Sequence, residues 1–182
     1  ILENNLKFDV ILTNPPFSMR YESSKADEKK VLEGYDIAYQ YGKEASKKLR
    51  ASLKSNVLSL ERYKDLLKPN KKLITIIDES VLNADSESEY RDFIKKYFII
   101  KAIISLPRNT FVNAETGVKT SILYLIKREK PLEETEEDKE QADIFMAISE
   151  NVGHTDAGKP YPEKNDLHKI LEAFKKFENG KI

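Results

Sequence analysis

The stretch Phe8-Asp9-Val10-Ile11-Leu12-Thr13-Asn14-Pro15-Pro16-Phe17 decides how this chain folds. Phe8, Val10, Ile11 and Leu12 make an apolar run of strand length, read as a short buried strand. Two consecutive prolines cannot continue a sheet, because neither donates a backbone hydrogen bond. The strand therefore ends in a loop, with Asn14 and Phe17 at its C-terminal edge. In open α/β sheets that edge is where ligands bind. Pro15 disfavours the helical region for Asn14 and leaves it extended. Asn14 offers an amide oxygen as acceptor and an amino group as donor. Phe17 offers a flat apolar face. The Asn14 oxygen and the Pro15 carbonyl can each accept one N–H of an exocyclic amine on a flat heterocycle, while Phe17 stacks on the ring.

The chain downstream supplies the rest of a sheet. Val57, Leu60, Tyr63, Leu66 and Leu67 mark a helical face that stops at Pro69, and Leu73–Ile77 is a continuous apolar strand. Strand, helix and strand predict a βαβ crossover and a parallel pair. Asp78-Glu79 then lies at the same edge as Asn14 and reads as loop or helix-cap residues. Pro69-Asn70 reads as a turn in which Asn70 takes a left-handed conformation. Ser86 to Glu89 reads as a capping box before a helix with Tyr90, Phe93, Ile94 and Tyr97 on its buried face. Ile99–Ser105 is the next strand. Leu106–Lys119 reads as a loop leading to Thr120–Ile126, a strand able to pair antiparallel.

Two regions read less simply. Ser18 to Asn56 is a long insertion that clusters Tyr21, Tyr35, Tyr39 and Tyr41. Within it Lys43–Lys54 carries five basic residues and one acidic. Ala45, Leu49 and Leu53 recur every fourth residue there, which predicts a helix with one apolar stripe. Read as solvated structure it is a helix and loop. Read functionally it is a lid, with tyrosines for stacking and Lys47, Lys48, Arg50 and Lys54 near phosphate. Glu129–Asp143 holds eight acidic and two basic residues and reads as a flexible, solvated linker. Ile144–Ile148 reads as a short added strand and Val152–Pro162 as loop, with His154 a loop histidine. Leu167, Ile170, Leu171, Phe174 and Phe177 define an amphipathic helix after an Asn165-Asp166 cap.

Composition bounds the function. The 182 residues are enough for one domain with a real core, and 40% are hydrophobic and 34% charged. The longest apolar runs, about seven residues, fall short of the ~20 of a membrane helix. There is no cysteine, hence no disulfide framework and no thiolate metal site, and no metal is expected. Abundant Lys and Glu and the lack of a secretory signal point to a cytoplasmic protein. The net charge is zero, which is unusual for a protein gripping DNA alone.

The Asn-Pro-Pro-Phe quartet and its preceding strand resemble the catalytic motif of amino-methyltransferases that use S-adenosylmethionine. More of the chain resembles one branch, the N6-adenine DNA methyltransferases, in particular the modification (M) subunit of type I restriction-modification systems. The matching segments are Leu58–Asp78, the Ser-Val-Leu of Ser80–Leu82, Lys101–Phe111, Val118–Glu129 and the stretch from Ala142 to Pro160. Two details depart from the family: Ile77-Asp78 stands where Pro-Asp is usual, and Pro69-Asn70 replaces a Pro-Gly-Gly turn.

The resemblance implies an α/β fold, the C-terminal half of a Rossmann-like S-adenosylmethionine-dependent methyltransferase sheet: its fourth, fifth, sixth and antiparallel seventh strands. It divides the chain into a partial methyltransferase domain over 1–128, an acidic linker over 129–143, and a strand, loop and helix over 144–182. It implies methyl transfer to the exocyclic amine of a flipped adenine in DNA. Asn14, Pro15, Pro16 and Phe17 would be catalytic, with Asn14 also facing the cofactor. Phe17, Phe111, Asn113, Lys47 and Arg50 would touch the substrate. A Gly-rich first turn and an acidic residue on a second strand would hold the cofactor. None of the six glycines makes a Gly-x-Gly, so the expectation is a fragment whose cofactor half lies upstream and which is inactive alone. The implied partners are DNA and the specificity (S) and restriction (R) subunits, with no membrane. Self-association is expected through an exposed strand edge. Two rival readings are a methyltransferase for an RNA base or a protein glutamine amide, and a non-catalytic docking module.

Overall fold

The computed structural model describes residues 6–17, 19–40, 42–44, 46–114, 117–133 and 137–180. In chain order the elements are β1 (Phe8–Thr13), β2 (Arg20–Glu22), α1 (Ala26–Glu33), β3 (Ser52–Lys54), α2 (Ser55–Leu66), β4 (Leu67–Asp78), α3 (Glu79–Asn83), α4 (Ser88–Tyr97), β5 (Phe98–Ser105), β6 (Thr120–Lys127), β7 (Phe145–Ile148) and α5 (Leu167–Glu178). Five strands form one sheet in the order β1-β4-β6-β5-β7. β1 and β4 are parallel, as the strand–helix–strand reading predicts, and so are β5 and β7. β6 is antiparallel to both its neighbours, β4 and β5. The C-terminal ends of the four parallel strands and the start of β6 therefore share one edge.

The core lies on one face of the sheet. Leu73 and Ile77 of β4, Phe98 of β5, and Leu123 and Leu125 of β6 meet Val57, Leu60 and Tyr63 of α2 and Ile94 of α4. Alternation along β4 puts Leu73, Thr75 and Ile77 on this face and Ile74 and Ile76 on the other. On the other face α5 covers β5, β6 and β7. Its Phe174 meets Tyr124 and Phe145, and its Phe177 meets Phe145, with ring centroids 5.4–5.8 Å apart. No helix among the described residues is long and apolar enough to cross a membrane.

Several sequence expectations change. β1 is not buried: Val10 is 58% and Leu12 77% exposed, because both lie on the sheet face away from α2, beyond the strands that α5 covers. Only Ile11 of its interior packs against the core. The expected helix over 43–54 is absent among its described residues. Leu49 makes an antiparallel bridge with Tyr39, and β3 pairs with β2, seating Leu53 opposite Tyr21. A spacing of four fits a strand as well as a helix, since four is an even number of residues, and the tertiary partners decide. Ala45, like Ser18 and Tyr41, lies outside the described residues.

The capping box also fails. A 3-10 turn over Asp85–Glu87 leads into α4, and no side chain caps that helix. Glu89 instead reaches Arg50. β4 begins earlier than Leu73, directly where α2 ends, and the turn is absorbed as an irregularity within it. The register jumps from Phe8↔Leu67 to Val10↔Lys72, and Asn70 takes the expected left-handed backbone with φ 60°. At α5 the N-cap position is Asp166, whose side chain makes no cap bond, and Asn165 before it accepts from the Leu167 amide through Oδ1 at 3.0 Å.

The acidic stretch is tethered at its described residues. The guanidinium of Arg128, 3% exposed, donates to Asp138 and Glu140. The Gln141 side chain pairs with both backbone groups of Ile100. Residues 134–136 lie outside the described residues.

Phe98 is fully buried at the junction of α4 and β5. Phe98→Ala is expected to lower the unfolding free energy by about 3–5 kcal/mol, read by urea denaturation.

Candidate active site

The site grows from the interruption of β1. After Thr13 the two prolines leave the ladder, and the freed backbone is held by the start of α2. Ser55 Oγ donates to the Pro16 carbonyl at 2.8 Å, and the Ser55 amide donates to the Met19 carbonyl at 2.9 Å. The Thr13 hydroxyl lies 3.1 Å from that of Tyr63 on the same helix. Pro15 is buried, while Asn14 and Pro16 are exposed. Among the described residues nothing hydrogen-bonds the Asn14 side-chain amide or the Pro15 carbonyl.

The turn after β5 brings a second aromatic to this edge. A 3-10 stretch over Arg108–Ala114 is kinked at Phe111, with φ −113° and ψ 29°. The Phe111 ring sits 5.4 Å from that of Phe17, tilted by 49°. Residues almost a hundred positions apart thus form one apolar corner beside Asn14. On the sheet face away from α2, Leu12, Thr13, Asn14, Ile74, Ile76 and Ile122 line an open apolar hollow.

The carboxylates at the same edge are structural. Asp78 caps α3 by accepting from the Ser80 amide at 2.9 Å, as the cap reading predicts. It also pairs with Lys54 at 3.0 Å. Burial pushes the Asp78 carboxyl up, but the Ser80 and Lys54 bonds outweigh it and hold it below its ordinary value. Glu79 lies 3.7 Å from Lys119. No group of acidic residues or histidines able to hold a metal exists among the described residues.

The remaining sequence candidates are dispersed. Asn113 is exposed and donates to the Gly158 carbonyl at 3.4 Å. Arg50 is tied to Glu89 and to the Ile37 carbonyl, and its guanidinium stacks on Tyr90 at 5.4 Å. Lys47 is exposed. Tyr21 and Tyr35 pack against the core, and Tyr39 lies under Lys43, so these three are occupied within the insertion.

Two residues that matter here carried no signal of their own in the sequence. Ser55 opens α2 and holds the Asn-Pro-Pro-Phe loop. Glu61, 6% exposed on α2, accepts from the Asp36 and Ile37 amides at 3.0 and 2.8 Å and so ties the insertion to the same helix. Both are ordinary helix residues until their distant partners are known.

The model of a family described as N-6 DNA methylase matches residues 2–181. No curated protein sequence matches the chain. Among solved structures it is similar to a chain of a type I R-M system, with 18% identity, a TM-score of 0.67, and coverage of 99% of this chain and 32% of the other. It is also similar to a modification subunit of a putative type I restriction enzyme from Vibrio vulnificus YJ016: 19% identity, TM-score 0.62, coverage 95% and 31%. A putative class I S-adenosylmethionine-dependent methyltransferase from Listeria monocytogenes follows at 16% identity, TM-score 0.60, and coverage 97% and 44%. The shared fold is Rossmann-like. The chain spans about a third of the first two relatives and under half of the third.

Ser55→Ala is expected to cost about 1 kcal/mol, the worth of one hydrogen bond, and to loosen residues 14–17. Urea denaturation and local amide exchange measure the two effects. The depressed Asp78 carboxyl makes a second prediction. Its contribution is complete above the unfolded-state value near ~3.9 and is lost as pH falls through its lower folded-state value. Stability should therefore decline on acidification below about pH 4, and more shallowly in Asp78→Asn, as read by urea titrations at each pH.

Proposed function

Because this chain belongs to the N-6 DNA methylase family, we propose that it is the C-terminal part of the catalytic domain of a DNA adenine-N6 methyltransferase, the modification subunit of a type I restriction-modification system. The observation that carries this reading is the pairing of two unengaged acceptors, the Asn14 amide oxygen and the Pro15 carbonyl, with the Phe17–Phe111 corner. Two acceptors match the two N–H groups of an exocyclic amine, and the rings match the face of a purine.

The target adenine leaves the duplex to reach this edge. Asn14 Oδ1 and the Pro15 carbonyl accept its two N6 hydrogens and draw the nitrogen lone pair out of conjugation with the ring. Phe17 stacks on the base, and Phe111 walls the other side of the corner. Positioning and fixed dipoles carry the catalysis, and no side chain of the quartet titrates. The proton lost from N6 passes to solvent. When bound, S-adenosylmethionine supplies the methyl group as a sulfonium electrophile. This chain contributes Asn14 to it. The Gly-rich turn and acidic ribose partner that such a cofactor requires belong to a preceding segment, and this chain alone is inactive. The exposed β1 edge and the bare apolar hollow beside Asn14 support that arrangement, since both are surfaces on which further strands and helices would pack.

DNA is the substrate, with a separate specificity subunit reading its sequence and a restriction subunit completing the assembly, in the cytoplasm. The zero net charge of the chain accords with phosphate contacts supplied largely by those partners. Exposed Lys47 is free to reach a phosphate. Arg50 does so only by leaving Glu89, and Asn113 meets the base only by leaving Gly158.

In the complete enzyme, Asn14→Ala is expected to abolish methyl transfer while leaving cofactor affinity within about twofold, because that affinity rests mainly on the preceding segment and the amide acts chiefly on the amine in the transition state. Single-turnover transfer to DNA and calorimetric titration of S-adenosylmethionine test the two halves. Unchanged turnover would overturn the assignment.

A further inference from the structure

Phe111 is held from behind by a loop that the reaction itself does not use. Residues 151–162, between β7 and α5, meet the Phe111 turn at three points along its length. Asn109 Nδ2 donates to Asp156 Oδ1 at 2.7 Å. His154 Nε2 lies 3.2 Å from the Thr110 carbonyl oxygen. Asn113 Nδ2 reaches the Gly158 carbonyl at 3.4 Å. The middle contact falls on the peptide that joins Thr110 to Phe111, at the kink where the turn departs from helical geometry. Fixing that carbonyl fixes the plane from which the Phe111 side chain projects.

The holding loop is itself braced. The Thr155 amide donates to the Lys159 carbonyl at 2.9 Å, the Gly158 amide to the Thr155 carbonyl at 2.8 Å, and the Tyr161 amide to the Gly153 carbonyl at 2.7 Å. Its base is anchored by the Asp166 carboxylate, which accepts from the Ser149 hydroxyl at 2.6 Å and from the Glu150 and Asn151 amides at 2.7 and 3.2 Å. The other ring nitrogen, Nδ1, lies 2.9 Å from the Thr155 carbonyl, also an acceptor, so one neutral tautomer bonds only one of the two carbonyls. With the hydrogen on Nε2 the ring donates to Thr110. Gly158 is required on two counts. Its φ is +74°, and a Cβ there would stand 2.0 Å from Asn113 Oδ1.

We propose that loop 151–162 is a clamp that positions Phe111 against Phe17, with His154 as its positioning residue. The clamp sets where the Phe111 ring stands against Phe17, and so the shape of the apolar corner offered to a flat base. The loop thereby acts on the target-base pocket without touching a base. This rests on the reading of Phe111 as a wall of that pocket.

Amide exchange of the 182-residue chain, followed by mass spectrometry, tests it without DNA or cofactor. His154→Ala is expected to raise exchange across residues 108–114 about fivefold, the effect of losing one hydrogen bond on a local opening, with α2 unchanged. Gly158→Ala should open the same segment. His168→Ala, at an exposed position on α5, should leave it at the parent rate. Unchanged exchange at 108–114 in His154→Ala would overturn the clamp. So would an equal rise throughout the chain, which would make His154 a general support of the fold. If His154→Ala does not fold, Asp156→Ala serves in its place with the same two outcomes. Failure here leaves the methyltransferase reading intact, and loss of that reading through Asn14→Ala leaves the coupling of the two loops intact.

Discussion

The absence of two amide hydrogens, at Pro15 and Pro16, organises the structure around the site. A strand that cannot continue its ladder must hand its backbone to another partner or to solvent. Here the partner is the first turn of α2, through the Ser55 hydroxyl and amide. Helix N-termini have donors to spare. The junction therefore satisfies the loop without drawing the Asn14 amide or the Pro15 carbonyl into the bargain. The same helix buries Val57 and Leu60 under the sheet and grips the insertion through Glu61. One element thus links core, loop and insertion.

Charge at the sheet edge is arranged to hold backbone. Asp78 caps α3 and pairs with Lys54, which also lies 3.8 Å from Glu87. Asp166 gathers three donors at the base of the 151–162 loop, and Glu61 gathers two amides. Each carboxylate satisfies groups that an irregular chain would otherwise leave unpaired.

Much of this was legible in the sequence. The Asn-Pro-Pro-Phe stop, the parallel β1–β4 pair, the antiparallel β6 and the amphipathic α5 all follow from local rules that the tertiary structure reinforces. The left-handed Asn70 and the cap at Asp78 follow in the same way. The failures share a cause. Leu49 and Leu53 are spaced for a helix or a strand, and only Tyr39 and Tyr21, from a distant part of the chain, choose the strand. Glu89 belongs to a capping motif by spacing, yet Arg50 offers it a charged partner instead. The acidic run after Glu129 is solvated as it reads, but Arg128, buried beneath it, ties Asp138 and Glu140 where the sequence suggests only a loose linker.

The amino-acid sequence by itself determined where β1 must stop and which four residues stand at that stop, because proline geometry and apolar periodicity act over a few residues. Only the tertiary structure decided that Phe17 and Phe111 meet, that Ser55 and Glu61 hold the loop and its insertion, that β1 has one strand neighbour among the described residues, and that His154 reaches the peptide beside Phe111. Those contacts join residues that sequence separation makes strangers. No local pattern encodes them, since each depends on where the sheet order places the two ends.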